Sequence, residues 1–585
     1  MKQNKLIAIT ALAMSLTLTS CSDDEPKVPQ TTDTVNNVVT STQSASAIMS
    51  YIPADTPVLA LFVKDPNNPI PQNFKDKMDK VYGSIAELFQ MAIQEKLNET
   101  SDEAKKAEMS TFVDKWLTAD NFDKLGLSMD ESEFALYSVD LFPVLRMTLA
   151  KTHALDEFLD ELMGKANTSK ADSAIKKDVN GTTVYQFGDK EIQIMVSLNG
   201  NALAISLAPA REVDNLMPKL LGFEKPAKTI VQSNQYQDTI SKYNYLPNNL
   251  YWFNIRQLAD YFVNPDQYQT SMLDIMKIQD NMMSADCKTE ILALFDKFPR
   301  LVGGTTIFNE NTMDSHMIFE MEQGLGSKLA TMTGRIPNAN VDAAITYGFS
   351  FDIVAAKALA QEFVTNIETT PYKCEFMAGM NEKAATLKAQ LDQPLPPFVS
   401  NFKGVNVVIN ELDLDMSKKD PNEMIKSLKA KVLLAVDNPE ALQGMAEMMM
   451  PDLQKLGLKA GADAVNISSM IPFKGTQMPV NLDHVFLAMG TETIGVSLGE
   501  DTDVELTQAV SSNSTPQLLT FKITADIYRN IFTGLDEISS AMSDTSKPTI
   551  NFQQFMMSDM LWWETETGNM NFTDRGLEIQ MDIKY

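Results

Sequence analysis

The sequence predicts an α+β protein of two related halves, each a mainly antiparallel curved sheet with helices packed on one face. Three observations carry this. Most apolar runs alternate with polar residues at period two, as an antiparallel strand with one covered face does. Between them lie stretches with apolar residues at helical spacing, such as Leu155, Phe158, Leu159 and Leu162. The order of these elements then occurs twice along the chain.

The paired segments follow in order. PADTPVLALFVKD at 53–65 and NVDAAITYGFSFD at 340–352 are each an entry turn and a strand, closing on Asp65 or Asp352. LFPVLRMTLAKTHALDEFLDELMG at 141–164 pairs with SLKAKVLLAVDNPEALQGMAEMMM at 427–450, each a strand, a polar link and an amphipathic helix. IQIMVSLNGNALAISLAPA at 192–210 and HVFLAMGTETIGVSLGEDT at 484–502 are hairpins, the first turning at Asn199-Gly200-Asn201. NNLYWFNIRQLADYF at 248–262 pairs with PQLLTFKITADIYRNIF at 516–532. NTMDSHMIFEM at 311–321 pairs with TDRGLEIQMDI at 573–583. The halves are therefore 51–330 and 331–585, each large enough for its own core.

Ahead of them, Lys2 and Lys5 precede an apolar run from Leu6 to Leu18 and then Leu18-Thr19-Ser20-Cys21. A basic start, a short apolar core and small residues make an export leader over 1–20, too short for a membrane span. The ending L-T-S-C resembles the lipobox of bacterial lipoproteins, which implies that Cys21 becomes the lipidated first residue. Acyl chains on Cys21 would hold the body at a membrane, since a single chain is already marginal and chains add. Ser22, rather than Asp, resembles the outer-membrane sorting rule. Asp23, Asp24 and Glu25 resemble a surface-export tag, or form a plain solvated charge run, so either the periplasmic face or the cell surface is open. Residues 21–50 are poor in apolar side chains and read as a flexible tether.

The formal charge is −28, and more negative once Lys2 and Lys5 leave with the leader. That argues against nucleic acid and against anionic lipid surfaces, which call for basic patches. Cys287 and Cys374 remain after Cys21. An even pair in an oxidising compartment reads as a disulfide between the halves. A closed loop of this length is worth roughly 4–5 kcal/mol on the chain-entropy account.

Motifs for chemistry fall short of their requirements. Gly495-Val496-Ser497-Leu498-Gly499 has the nucleophile-elbow spacing, but it lies inside an alternating strand and no histidine follows it. His153, His316 and His484 share no metal-ligand spacing. Gly324-Leu325-Gly326 has Leu329 where a third glycine belongs, so it reads as a turn. Asp413-Leu414-Asp415 opens like a calcium loop, yet Lys418 and Met424 stand where glycine and glutamate are needed. The methionines at 445, 448, 449 and 450, and at 556, 557 and 560, suit core or groove packing better than copper. Trp562 and Trp563 are the candidate partner contact. No cofactor and no metal is called for.

Tyr51-Ile52-Pro53-Ala54-Asp55-Thr56-Pro57, FALYSVDLFPVLRM at 134–147, and Cys287 with FPRLVGG at 298–304 resemble a group of large Gram-negative lipoproteins of unknown function. The group is built from repeated strand-helix units. The resemblance implies the fold and the lipid anchor and transfers no catalytic residues. The expected function is a non-enzymatic envelope lipoprotein that binds a protein partner, polymer or small ligand. The alternatives are a carboxylate-based hydrolase, marked by a cleft with two carboxylates of raised pKa, and a scaffold or assembly protein, marked by a flat exposed apolar patch.

Overall fold

The computed structural model describes residues 46–81, 103–116, 123–127, 132–151, 153–166, 173–268, 283–339, 343–414, 425–471, 482–527 and 562–585, with single positions at 118, 121 and 529. The leader, Cys21, most of the tether and the methionines at 556, 557 and 560 lie outside the described residues. The architecture is α+β, with nineteen antiparallel strands among the described residues. The chain divides into two compact units, Pro26–Met317 and Ile318–Tyr585.

Packing in the first unit begins at Ser46. Its hydroxyl caps a 3-10 turn, Ala47–Tyr51, whose Ile48 and Met49 are buried. The strands are β1 (Val58–Phe62), β2 (Glu133–Val139), β3 (Phe142–Thr148), β4 (Ser173–Val179), β5 (Thr182–Gly188), β6 (Ile192–Asn199), β7 (Ala202–Pro209), β8 (Asn249–Phe253), β9 (Leu301–Phe308) and β10 (Thr312–Glu320), the last running past the boundary at Met317. Their spatial order is β10-β9-β8-β1-β2-β3-β7-β6-β5-β4. Local chemistry sets the turns. Asn180 and Gly181 both take positive φ between β4 and β5 (56° and 79°), as a two-residue turn matched to strand twist requires.

The helices of this unit are α1 (Glu103–Trp116), α2 (Leu155–Ala166), α3 (Val213–Leu220), α4 (Asn234–Tyr243), α5 (Ile255–Val263), α6 (Pro265–Tyr268) and α7 (Ala285–Asp296). The Asn254 side chain caps α5 by accepting the Gln257 N–H, and Ser284 caps α7 by accepting the Cys287 N–H. α2 lays Leu155, Phe158, Leu159 and Met163 on the sheet against Met147, Val196, Leu198 and Leu203.

The segments that carry the family resemblance meet in this unit, each for a packing reason. The Thr56 hydroxyl accepts the Ser138 N–H at 3.1 Å, and the Thr56 carbonyl accepts Trp252 Nε1–H at 3.1 Å. Tyr51 lies under the buried guanidinium of Arg146, 4.0 Å from ring centre to Cζ. Gly303 makes room for the Tyr251 ring, which a Cβ would meet at 2.2 Å.

The second unit holds β11 (Ile345–Ser350), β12 (Phe402–Leu414), β13 (Ile425–Val436), β14 (Val465–Asn466), β15 (Val485–Met489), β16 (Thr493–Leu498), β17 (Leu519–Thr524), β18 (Thr565–Thr573) and β19 (Gly576–Lys584). Their order is β19-β18-β17-β11-β12-β13-β16-β15-β14. The helices are α8 (Leu325–Ala330), α9 (Ile353–Thr369), α10 (Ala378–Leu391), α11 (Pro397–Asn401), α12 (Pro439–Met449) and α13 (Thr502–Ser511). Asp352 caps α9 through the Ala355 N–H. Asn438 caps α12 through the Ala441 N–H, with Pro439 at the first helical position. Gly324 takes φ 84° at the start of α8, as the turn reading of Gly324-Leu325-Gly326 requires.

Cys287 and Cys374 are disulfide-bonded. Among the described residues no helix is long and apolar enough to cross a membrane.

Candidate binding face

Strand register builds the most unusual surface of the second unit. Across β17, β11, β12, β13, β16 and β15, one row of directly opposed residues reads Phe521, Tyr347, Val407, Val432, Val496, Leu487. The row two residues along reads Leu519, Phe349, Val405, Leu434, Ile494, Met489. The row on the other side reads Ile523, Ile345, Ile409, Ala430, Leu498, Val485. Residues opposed in an antiparallel pair share a face, and so do residues two apart. One face of six adjacent strands is therefore apolar at every position of three rows.

This face is open at its centre. Tyr347, Phe349, Val407, Val432, Leu434 and Val496 keep between 37 and 51% of their surface exposed. A strand spacing near 4.8 Å and a rise near 3.4 Å give the grid a footprint of about 24 Å by about 14 Å.

The opposite face explains why. Alternate positions carry small or polar residues there, including Gly348, Ser350, Gly404, Asn406, Gly495 and Ser497. α13 packs onto that side, with Leu506, Ala509 and Val510 against Leu433 and Ala488. A Cβ on Gly495 would meet Leu433, Leu506 and Val510 within 2.7 to 2.9 Å, so the glycine sets the close approach of the helix. Lys431 is buried on the same side and pairs with Glu505 of α13. The covered face thus mixes small residues with buried Leu433 and admits a close helix, while every position of the three rows on the other face is apolar.

The first unit also has an apolar row on its sheet, but there it is covered. Leu136, Leu145, Ile205 and Val196 are directly opposed across β2, β3, β7 and β6. There α2 covers the face from β3 to β6.

At the buried Met489 corner the grid adjoins a cleft of about 510 Å³, lined by Glu440, Gln443 and Glu447 of α12 with Leu458 and Lys459. Gln443 bridges this wall, its amide donating to Glu447 Oε1 at 2.7 Å and to the Leu458 carbonyl at 3.3 Å. Two carboxylates against one ammonium make this border acidic. Met448, Met449 and Met450 at the end of α12 are 78, 84 and 57% exposed, so these methionines do not pack in a core.

Near the start of β12 an ionic cluster fixes the backbone. Lys403 Nζ lies 2.7 Å from Asp352 and 3.1 Å from Asp437, and Arg335 reaches Asp437 at 3.1 Å. Burial pushes the Asp352 carboxyl up, but the Lys403 ammonium and the Ala355 and Val354 N–H groups outweigh it and hold the carboxyl below its usual range. Burial lowers Lys403 while its two carboxylate partners raise it, and the net shift is upward.

Of the residues singled out from sequence, Cys21 lies outside the described residues, and Cys287 and Cys374 form their disulfide. The bonded sulfurs lie close to Glu375, and as a disulfide they offer no thiolate for a metal. Trp563 is buried, and Trp562 is half-buried with its ring 5.5 Å from that of Tyr585. Ser497 is buried in β16 and accepts the Thr502 hydroxyl at 2.9 Å, a strand residue tied to the start of α13. His316 is buried against the Tyr245 hydroxyl at 2.7 Å, His153 contacts the Gly200 carbonyl at 3.0 Å, and His484 lies 3.6 Å from Glu500. Residues 415–424 of the calcium-like loop lie outside the described residues. The open face itself was not singled out from sequence. Its signal was present as the alternation of large apolar with small residues in Tyr347-Gly348-Phe349-Ser350 and Ile494-Gly495-Val496-Ser497.

No family model, curated protein or solved structure matches the chain.

Proposed function

We propose that this chain is a non-enzymatic scaffold or assembly lipoprotein, held at the outer membrane through lipid on Cys21, which docks a protein partner on the open face of its second unit. The apolar grid carries the reading. Contiguous apolar patches of several hundred Å² on a folded protein mark interaction sites. Here the patch is specified by register over six strands rather than by scattered side chains. The leader, the lipobox and the resemblance to large Gram-negative lipoproteins support the anchor. The shared strand order of the two units supports an internal duplication. β1 and β11, β2 and β12, β3 and β13, β7 and β16, β6 and β15, and β8 and β17 hold the same places, in line with the paired segments of the sequence.

The test is site-specific photocrosslinking in cells that make the protein. A benzophenone amino acid at Val432 should give a discrete protein adduct, and one at Lys190, exposed in the first unit, should not. Equal patterns at the two sites, or none at Val432, would remove the docking function. Cys21→Ser should release the body from the membrane fraction, and retention there would remove the anchor.

A further inference from the structure

We infer that the occupant of the open face is a single amphipathic helix of a partner protein, with an apolar stripe against the grid and Lys or Arg at its flanks; this rests on the docking reading above.

The footprint decides among occupants. A grid of about 24 Å by about 14 Å covers at most roughly 340 Å², and Val485 and Met489 at its β15 edge are already buried. A stable interface between two folded chains takes about 800 Å² from each partner, so a second copy laid sheet to sheet would be held by less than half of what it needs. A small molecule binds where most of its surface is enclosed, and the central residues of this face are themselves 37 to 51% exposed. A helix about 10 Å in diameter and about 16 residues long, near 24 Å, fits the grid in both directions. The chain itself shows a helix on an apolar sheet face, since α2 of the first unit lays Leu155, Phe158 and Leu159 on its sheet.

Charge sets the flanks. The chain carries −28, and the cleft at the Met489 corner places Glu440 and Glu447 beside Lys459. A helix end lying there meets net negative charge, which favours Lys or Arg and disfavours Asp or Glu.

The experiment uses the full mature lipoprotein in zwitterionic lipid nanodiscs. The probes are fluorescein-labelled 16-residue peptides with leucines at i, i+3, i+4 and i+7. One has lysine flanks, one glutamate flanks, and one lysine flanks with two central prolines. The altered protein is Val407→Lys with Val432→Glu. These residues are cross-strand partners, so the exchange replaces apolar surface with an opposed charge pair. Fluorescence anisotropy should show the lysine-flanked peptide binding the native protein at least tenfold more tightly than the altered one. It should also bind at least tenfold more tightly than the glutamate-flanked and proline peptides, and weaken with salt.

Equal binding of the helical and proline peptides would overturn the helix, and equal binding of the two flanks would overturn the charge assignment. A dimer of the native protein in light scattering, lost in the altered protein, would overturn the helix in favour of a second copy. A fluorescent fatty acid that binds native but not altered protein, with no peptide binding, would overturn it in favour of a hydrocarbon. Those last two outcomes leave the docking face standing. If the altered protein behaves like the native one toward every probe, the docking reading fails as well.

Discussion

Val407 and Val432 are direct cross-strand partners on β12 and β13, and both stay exposed, whereas Leu433, the next residue along β13, is fully buried under α13. One strand thus carries its surface and its core on successive residues. Val432→Thr should change stability by no more than about 0.5 kcal/mol, as exposed substitutions do. Leu433→Ala should cost about 2–5 kcal/mol, because the atoms removed leave a cavity against Leu506 and Val510. Urea unfolding of the two variants checks this, and comparable losses would mean that Val432 is covered in the free protein.

Gly222 should be intolerant of any side chain. It takes φ 82°, and a Cβ there would fall 2.5 Å from Arg146 Nη2 and 2.7 Å from the Tyr51 ring. Gly222→Ala therefore meets backbone strain of about 1–2 kcal/mol and also displaces a buried guanidinium from its ring. Arg146→Ala removes that stack and strips the Tyr137 hydroxyl of its 3.3 Å partner, for a loss of about 1–3 kcal/mol. Because the residues touch, the double variant should lose less than the sum of the two, and strict additivity in thermal unfolding would disprove the coupling.

The disulfide should contribute measurably to stability. Replacing Cys287 and Cys374 together with serine should cost about 2–5 kcal/mol. The native protein should lose the same amount in reductant, while the double variant should be indifferent to it. A native protein whose denaturation midpoint ignores reductant would show that the bond carries no stability.

Much of this fold was legible because alternation and helical spacing are local signals. The hairpins at 192–210 and 484–502, the strands closing on Asp65 and Asp352, and the helix at Leu155 fall where period-two and period-3.6 patterns put them. The cysteine pair followed from the count and from the compartment that the leader predicts. The open face was not legible, because the pattern that marks a covered strand face also marks an uncovered one. Tyr347 and Phe349 alternate with Gly348 and Ser350 whether or not a helix lies over them. Only register across β11, β12, β13 and β16, together with the side on which α13 lands, separates the two cases. Trp563 shows the converse. It was singled out with Trp562 as a candidate partner contact, yet it is buried.

The Lys403 cluster should shape the acid limb of stability. Asp352 titrates below its ordinary value of 3.8 in the folded chain. The unfolded chain thus binds its proton first as pH falls. The stabilisation from this carboxylate is complete above that ordinary value and is lost as pH drops through the lower, folded one. Lys403 has the opposite sign. Its folded pKa lies above the ordinary 10.5, so its contribution is complete below that value and is lost as pH rises through the folded one. Both contributions are intact across the neutral range. Lys403→Met leaves the Asp352 carboxylate without its nearest cation and should cost about 1–3 kcal/mol at pH 7. It should also flatten the fall in stability below pH 4, since the carboxyl then titrates closer to its unfolded value. Urea midpoints collected from pH 2 to 7 read both effects. An acid limb of unchanged slope would show that Asp352 is held down by the Ala355 and Val354 N–H groups alone, making the helix cap rather than the ion pair the source of the shift.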